Sequence, residues 1–478
     1  MFSIGVSGPA KLQAVTTLVN KLTEDLKSKS LSSEERDKAL EELKVYGRDP
    51  RNADPIFTKE GIETLTKHAF ESSSETTSRN ALRVLCNSML LKPETRQGFV
   101  DLGYESKACE KLKNDNWDDE FLATRVIFFS TYGTSIDLAK LIDEEHLADS
   151  IVKNLSRHAT RFSEHVQNKT KADPMELMAL GETLRLLFNV TSKCPSKTDS
   201  FTAAVPHIVS LLLNLDIPPK GSPPLEAPLG PLVNAPMNLK LDDEETRKCL
   251  YPKDAPSSLA EKLIKLLDLC LKSYQDQELD ATVTPLVCLI SSIYEYAPAD
   301  SPVCDSIRKA LLPSEEERTK VLGKGDTLPA SLLVNMTNPI APEFAKAVSH
   351  LLFNISDKDA HKFVDNIGYG YASGFLFQNN ISIPEGLVGG DDEKGESSKG
   401  QSSRRAVNPI TGQFLDAETF PDMPEMTMEE KEREAERLFV LFERARKLGI
   451  VNVENPVAKA VQEGRFEELP DDYEEDSN

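Results

Sequence analysis

The chain has 478 residues, with 56 Lys and Arg against 78 Asp and Glu, a formal net charge of −22 and a hydrophobic share of 39%. That acidic balance argues against wrapping nucleic acid or lying on anionic lipid, since both require a basic face. No apolar run approaches the ~20 residues that a membrane-spanning helix needs, so direct membrane insertion is not expected.

The seven cysteines, Cys86, Cys109, Cys194, Cys249, Cys270, Cys288 and Cys304, are widely spaced, odd in number and free of any C-x-x-C pair. They read as reduced thiols packed as small hydrophobes in a cytosolic protein. The histidines form no zinc pattern, so neither metal nor cofactor is expected. The opening Met1-Phe2-Ser3-Ile4-Gly5-Val6 lacks the order of a secretory signal.

From residue 10 to about 380 the apolar residues recur at three and four, as in Leu259, Leu263, Leu266, Leu267 and Leu271. A helical region of that length is built from stacked helical hairpins, each covering its apolar face with its neighbours. A repeated frame supports the reading. Asn80-Ala81-Leu82-Arg83-Val84-Leu85-Cys86-Asn87 resembles Glu182-Thr183-Leu184-Arg185-Leu186-Leu187-Phe188-Asn189, and both resemble Val348-Ser349-His350-Leu351-Leu352-Phe353-Asn354. Thr124-Arg125-Val126-Ile127-Phe128-Phe129 fits with Phe129 at the Asn position, 42 residues after Asn87, a step typical of armadillo and HEAT units. The next step is 60 residues, and the polar stretch Ser156–Asp173 is the expected insertion.

The fold class expected is all-α: an armadillo/HEAT-like α-solenoid superhelix over residues 1–384, with a C-terminal helical arm and an acidic tail. Asp216–Met237 carries seven prolines and reads as a long loop. Gly368–Gly374 reads as a turn between two helices, because no strand precedes it as a dinucleotide fingerprint requires. Residues 385–425 are expected to be a flexible linker, the Gly- and Ser-rich stretch Gly386–Ser403 lacking apolar anchors. Residues 426–478 form the arm and tail. Thr427 and Glu430 make a capping box there, and Ala435, Leu438, Phe442 and Ala445 share one helix face.

The candidate binding residues come from the repeat frame. Residues four apart share a helix face, so Arg83/Asn87, Arg125/Phe129, Arg185/Asn189 and His350/Asn354 each occupy equivalent surface positions. Asn pairs with peptide backbone and Arg grips carboxylate, so a groove for a peptide with an acidic or free-carboxylate end is one reading. The other is that the Asn side chains bridge neighbouring helices, and Phe129 reads as a core or groove-wall aromatic. His158 and His165 read as part of a solvated face. Ser32, Ser314, Ser356 and Thr427 have an acid three residues on, which suits both an acid-directed kinase and a helix N-cap; Ser356 and Thr427 are the phosphorylation candidates. No P-loop, nucleophile elbow or paired catalytic carboxylates occur, so an enzyme is not expected.

The frame around Ala81–Asn87, followed by Phe121-Leu122-Ala123-Thr124-Arg125-Val126 and Thr183–Asn189, resembles the N-terminal signature of synembryn, the resistance-to-inhibitors-of-cholinesterase family. Asn408-Pro409-Ile410-Thr411-Gly412, Glu429–Gly449 and Glu454-Asn455-Pro456-Val457 resemble its C-terminal part in the fungal form. The resemblance implies a solenoid that binds G-protein α subunits, GDP-bound or nucleotide-free. It would act as folding chaperone and non-receptor exchange factor, in the cytoplasm and at the cell cortex through its partner. It implies that a concave face holding Arg83, Asn87, Arg125, Arg185 and Asn189 grips the C-terminal helix of the α subunit. The arm, with Leu438, Phe439 and Phe442, would reach the nucleotide-binding domain. Ser397, Ser398, Ser402 and Ser403 lack the acid three residues on that would mark the family's phosphorylated stretch. The alternative is a generic armadillo adaptor for another peptide partner, which would line its groove with repeated Trp/Asn pairs; Trp117 is the lone tryptophan.

Overall fold

In the computed structural model, residues 7–219, 221–299, 301–382, 407–408, 410–417, 427 and 433 are described. Among them are 22 α-helices, from Gly8–Ser28 to Tyr369–Gln378, and no strand beyond an isolated Val407–Phe414 bridge. The all-α expectation holds. The chain divides into two units, Met1–Ala417 and Glu418–Asn478.

Local chemistry starts the helices where the sequence supplies caps. Ser32 and Glu35 form a reciprocal capping box, and Asn116 accepts from the amides of Asp118 and Asp119 at 2.9 and 3.2 Å. Asp173 caps Pro174–Lys193 through Met175 N at 2.7 Å, with Pro174 in the first turn where its missing N–H costs nothing.

The helices of the first unit pack in two rows. In one row, Glu75–Leu91, Trp117–Ser130, Pro174–Lys193, Leu229–Asn234, Thr284–Glu295 and Pro342–Ile355 each lie against the next. In the other, Leu147–Asn168, Val205–Asn214, Ser258–Ser273 and Pro302–Leu311 do the same, and the rows pack against each other. Leu184 and Leu187 are fully buried between them, and Leu82 and Leu85 are fully buried in the N-terminal core. Each contributes roughly 1.5–3 kcal/mol of burial, which is what holds a helix with a mixed polar face in register. The Trp117–Ser130 helix joins two hydrophobic cores: Leu122, Val126 and Phe129 face the N-terminal one, Ala123 and Ile127 the other.

Four expectations are corrected. The proline-rich span Asp216–Met237 ends in a helix, Leu229–Asn234, which runs into the 3-10 turn Ala235–Asn238, because Pro228, Pro231 and Pro236 sit where no intrahelical N–H is required. Of Gly368–Gly374, Gly368 alone makes the turn, at φ +81°, and Tyr369–Gln378 is helical. The insertion around Ser156 is largely the 22-residue helix Leu147–Asn168, and its His158 is fully buried rather than solvated. His165, in its last turn, likewise lies mostly covered, with Nε2 3.2 Å from Glu176.

The fourth concerns the linker. Within 385–425, the described residues 407–408 and 410–417 pack onto the last helices as a tight turn. Gly370 N donates to Ile410 O at 3.0 Å, and Phe414 N donates to Arg318 O at 2.9 Å. The buried Arg318 guanidinium donates to Gly412 O, Asp365 O and Asn366 O at 2.9, 2.9 and 2.6 Å, while Gln413 and Phe414 are buried. Three backbone carbonyls replace the water the cation loses. Gly386–Ser403 and the capping box, helix and acidic tail expected from residue 427 on lie outside the described residues, apart from Thr427 and Arg433.

Candidate functional site

The row that begins at Glu75–Leu91 carries all the groove positions selected from the sequence. Arg83 is half-buried and pairs with Asp118 at the start of the next row helix, while its Nη1 donates to Asn80 Oδ1 at 3.3 Å. Asn87, one turn on, is half-buried and its amide makes no hydrogen bond among the described residues. Arg125 donates to Glu182 Oε1 at 3.0 Å, with its guanidinium 5.4 and 5.2 Å from the ring centroids of Phe121 and Phe129. Arg185 donates to the same Glu182 oxygen at 2.7 Å. Phe129 itself is buried in the N-terminal core, the core-aromatic reading.

The amides divide. Asn189 is buried, donates to Thr131 Oγ1 at 2.9 Å and accepts from Tyr132 at 3.2 Å. Asn354 is buried and donates to the carbonyl and hydroxyl oxygens of Ser291 at 3.2 and 3.0 Å. Both therefore bridge adjacent row helices, and neither amide is free for a peptide backbone. At these two positions the bridging alternative is the one observed, and of the three, Asn87 alone keeps an open amide. The cause is what lies opposite each position. Thr131 and Ser291 offer hydroxyls within reach, so the amides turn inward and satisfy themselves.

His350 is exposed at the far end of the row, edge-on to Phe375 with ring centroids 4.9 Å apart. It borders a cleft of about 680 Å³ whose other wall includes Gly370, Tyr371 and Phe375. Partial burial, together with Lys346, holds its imidazole below the ordinary value, so it is neutral at pH 7. It is therefore a hydrogen-bonding group there and not a cation.

A second cleft of about 470 Å³ opens beside Arg185 and Asn189. Phe128, Tyr132 and Phe188 supply aromatic walls, and Leu225, Glu226 and Pro231 of the proline-rich span close it. Composition marks such a span as surface loop and says nothing of where it folds back, so this wall was not legible in the sequence. Glu182 was also missed as a functional position, although its spacing of three from Arg185 on one helix face signals an ion pair. Among the remaining candidates, Ser356 is a correction: it is buried, its hydroxyl donates to Leu352 O at 2.8 Å and accepts from Asn366 at 2.9 Å, so no kinase reaches it. Thr427 is exposed. Leu438, Phe439 and Phe442 lie outside the described residues.

The described part holds no group of three or more His, Cys, Asp or Glu placed to bind a metal ion, and no described helix is long and apolar enough to cross a membrane. Burial pushes the Cys86 thiol up to about 12, so it is an inert core group. What the row offers is a line of half-exposed Arg, Asn and aromatic side chains on successive helices, suited to binding.

Residues 39–465 match the family described as guanine nucleotide exchange factor synembryn. A synembryn-like chaperone of Schizosaccharomyces pombe is 24% identical over 370 residues, 73% of this chain and 66% of its own length, just under two thirds. The chaperone Ric-8A of Xenopus tropicalis is 25% identical over 472 residues, 90% of this chain and 84% of its own. The chaperone Ric-8A of Gallus gallus is 24% identical over 449 residues, 85% and 80% of the two chains. With a match that runs through both rows of helices and on past residue 417, the chain belongs to the synembryn family.

Proposed function

We propose that this protein binds G-protein α subunits, assists their folding and promotes guanine-nucleotide release, without covalent chemistry. The family match over residues 39–465 carries the reading. In this account the row bearing Arg83, Asn87, Arg125, Arg185 and His350 receives the C-terminal helix of the α subunit, and the arm with Leu438, Phe439 and Phe442 meets its nucleotide-binding domain. Supporting it, the half-exposed groups stand on helices packed one against the next, the arrangement a continuous peptide helix requires.

The mechanism is a population shift. Nucleotide affinity in the partner depends on how its C-terminal helix packs, so a surface that holds the helix displaced stabilises the open, nucleotide-poor state. A tenfold shift requires the row to favour that state by about 1.4 kcal/mol. Net hydrogen bonds to charged groups are worth roughly 1.5–3 kcal/mol, so one or two such contacts suffice. Holding the same helix during folding keeps its apolar face covered, so chaperoning and exchange arise from one binding event. The adaptor alternative, with Trp/Asn pairs lining a groove, finds no support: Trp117 is stacked on His158 at 4.6 Å and covered by Arg157 at 4.1 Å. The reading is tested by nucleotide release from a purified GDP-loaded α subunit with and without this protein.

A further inference from the structure

The charges along the row are unevenly matched, and at one point two guanidiniums converge on a single acid. Arg83 pairs one-to-one with Asp118. Arg79 and Lys111 share Asp119, and Arg79 also pairs with Glu75, so that group is neutral overall. Arg157 meets two acids, Asp115 and Glu120. At Glu182 the balance reverses: Arg125, from the preceding row helix, and Arg185, from its own, both donate to the single oxygen Oε1 at 3.0 and 2.7 Å. Two guanidiniums on one carboxylate leave one positive charge uncompensated.

The geometry also separates the roles. The Glu182 side chain is 6% exposed, whereas those of Arg125 and Arg185 are 26% and 41% exposed. Each guanidinium carries five N–H donors and spends one on Glu182, so most of the fork of each remains available. Arg125 is further fixed between Phe121 and Phe129. Arg185 opens onto the cleft of about 470 Å³, whose Glu226 pairs with neither arginine among the described residues.

We propose that Glu182 is a positioning residue that holds Arg125 and Arg185 together as the receptor for a single carboxylate of a bound peptide. The inference rests on the reading that this row takes a peptide helix, and adds which point of the row receives the charge and what prepares it. A guanidinium held by a buried acid loses little rotamer entropy on gripping a second one, and two such groups converge on one anion. The carboxylate comes either from the peptide's C-terminus or from an Asp or Glu side chain.

The inference has a sign that simple electrostatics does not share. If Glu182 were only a negative charge near the site, Glu182→Gln would tighten binding of an acidic peptide. If Glu182 positions the arginines, the same change weakens it. The experiment is calorimetry on the full chain with three synthetic peptides: the C-terminal helix of a G-protein α subunit, its C-terminally amidated twin, and a twin with side-chain carboxylates changed to amides. The wild-type protein is expected to bind one of the two neutralised twins about tenfold more weakly than the parent. Arg185→Gln, an exposed change that leaves the fold intact, removes that discrimination, and Glu182→Gln weakens the parent and shrinks it. Equal binding of all three peptides by wild type, or unchanged or tighter parent binding by folded Glu182→Gln, overturns the inference. Binding of no peptide at all overturns the groove reading beneath it.

Discussion

Asn189 donates its amide to Thr131 Oγ1 at 2.9 Å, tying the Pro174–Lys193 helix to the end of Trp117–Ser130, its neighbour in the row. Asn87 occupies the same place in the repeat frame and has no such partner among the described residues. One residue type at one repeat position thus serves two purposes, decided by what the neighbouring helix presents.

That difference separates stability from binding. Asn189→Ala removes the donor to Thr131 Oγ1, which keeps its own bond to Phe128 O, and takes the acceptor from the Tyr132 hydroxyl, and is expected to lower unfolding free energy by about 1–3 kcal/mol. Asn87→Ala is expected to leave the urea midpoint unchanged and weaken peptide binding. Denaturation and calorimetry on both variants check this, and equal loss of stability in the two contradicts it.

The buried carboxylate of Glu120 collects His158 Nε2 at 3.0 Å, Thr183 Oγ1 at 2.6 Å and the guanidinium of Arg157. Burial works to raise its pKa, but the His158 and Thr183 hydrogen bonds and the charge of Arg157 outweigh it, and the group stays ionised. It joins three helices: Trp117–Ser130, Leu147–Asn168 and Pro174–Lys193. Glu120→Ala leaves these partners uncompensated and is expected to cost about 3–5 kcal/mol, measured by urea unfolding.

The turn at 407–417 predicts a boundary. Gly412 has φ +73°, and a Cβ there would stand 2.7 Å from Leu322 Cδ1 and 3.0 Å from Gly368 N. Gly412→Ala is therefore expected to destabilise the first unit by roughly 1–3 kcal/mol, through backbone strain and overpacking. A chain ending at residue 417 should melt higher than one ending at 384, since the shorter one exposes the apolar seat of Phe414 and leaves Arg318 without its Gly412 carbonyl. Differential scanning calorimetry of the two decides it.

Acid sensitivity follows from His68. Burial lowers its pKa from the ordinary 6.5, against the hydrogen bond to Leu22 O at 3.0 Å and the charge of Asp25, with Arg36 adding to the lowering. A depressed imidazole pKa stabilises the fold above 6.5, and that contribution is lost as pH falls below 6.5 through the folded-state value. His207 and His350 act with the same sign. The urea midpoint should drop between pH 7.5 and 5.5, and His68→Gln should flatten the slope. Parallel profiles for the two proteins contradict it.

Helix periodicity made the solenoid legible, because every row helix must bury the same leucine stripe: Leu82, Leu85, Leu184 and Leu187 are where that pattern puts them. The binding surface was legible only in part. The frame located Arg83, Arg125, Asn189 and Asn354, but a one-dimensional pattern carries no record of Asp118, Glu182, Thr131 or Ser291, which reach those positions in turn from 35 to 63 residues away. The same limit hid His158, whose polar flanks suggest solvent while Trp117 and Glu120 enclose it. Long-range partners decide whether a polar side chain is offered or spent.

The central claim is that holding a partner's C-terminal helix along this row loosens the partner's nucleotide. The most direct measurement is the rate at which labelled GDP leaves a purified α subunit, alone and with an excess of this protein. The account predicts at least about a tenfold faster release, with most of the gain lost in a folded Asn87→Ala, Arg185→Gln double variant. A release rate unchanged by wild-type protein, or equally accelerated by the double variant, would contradict it.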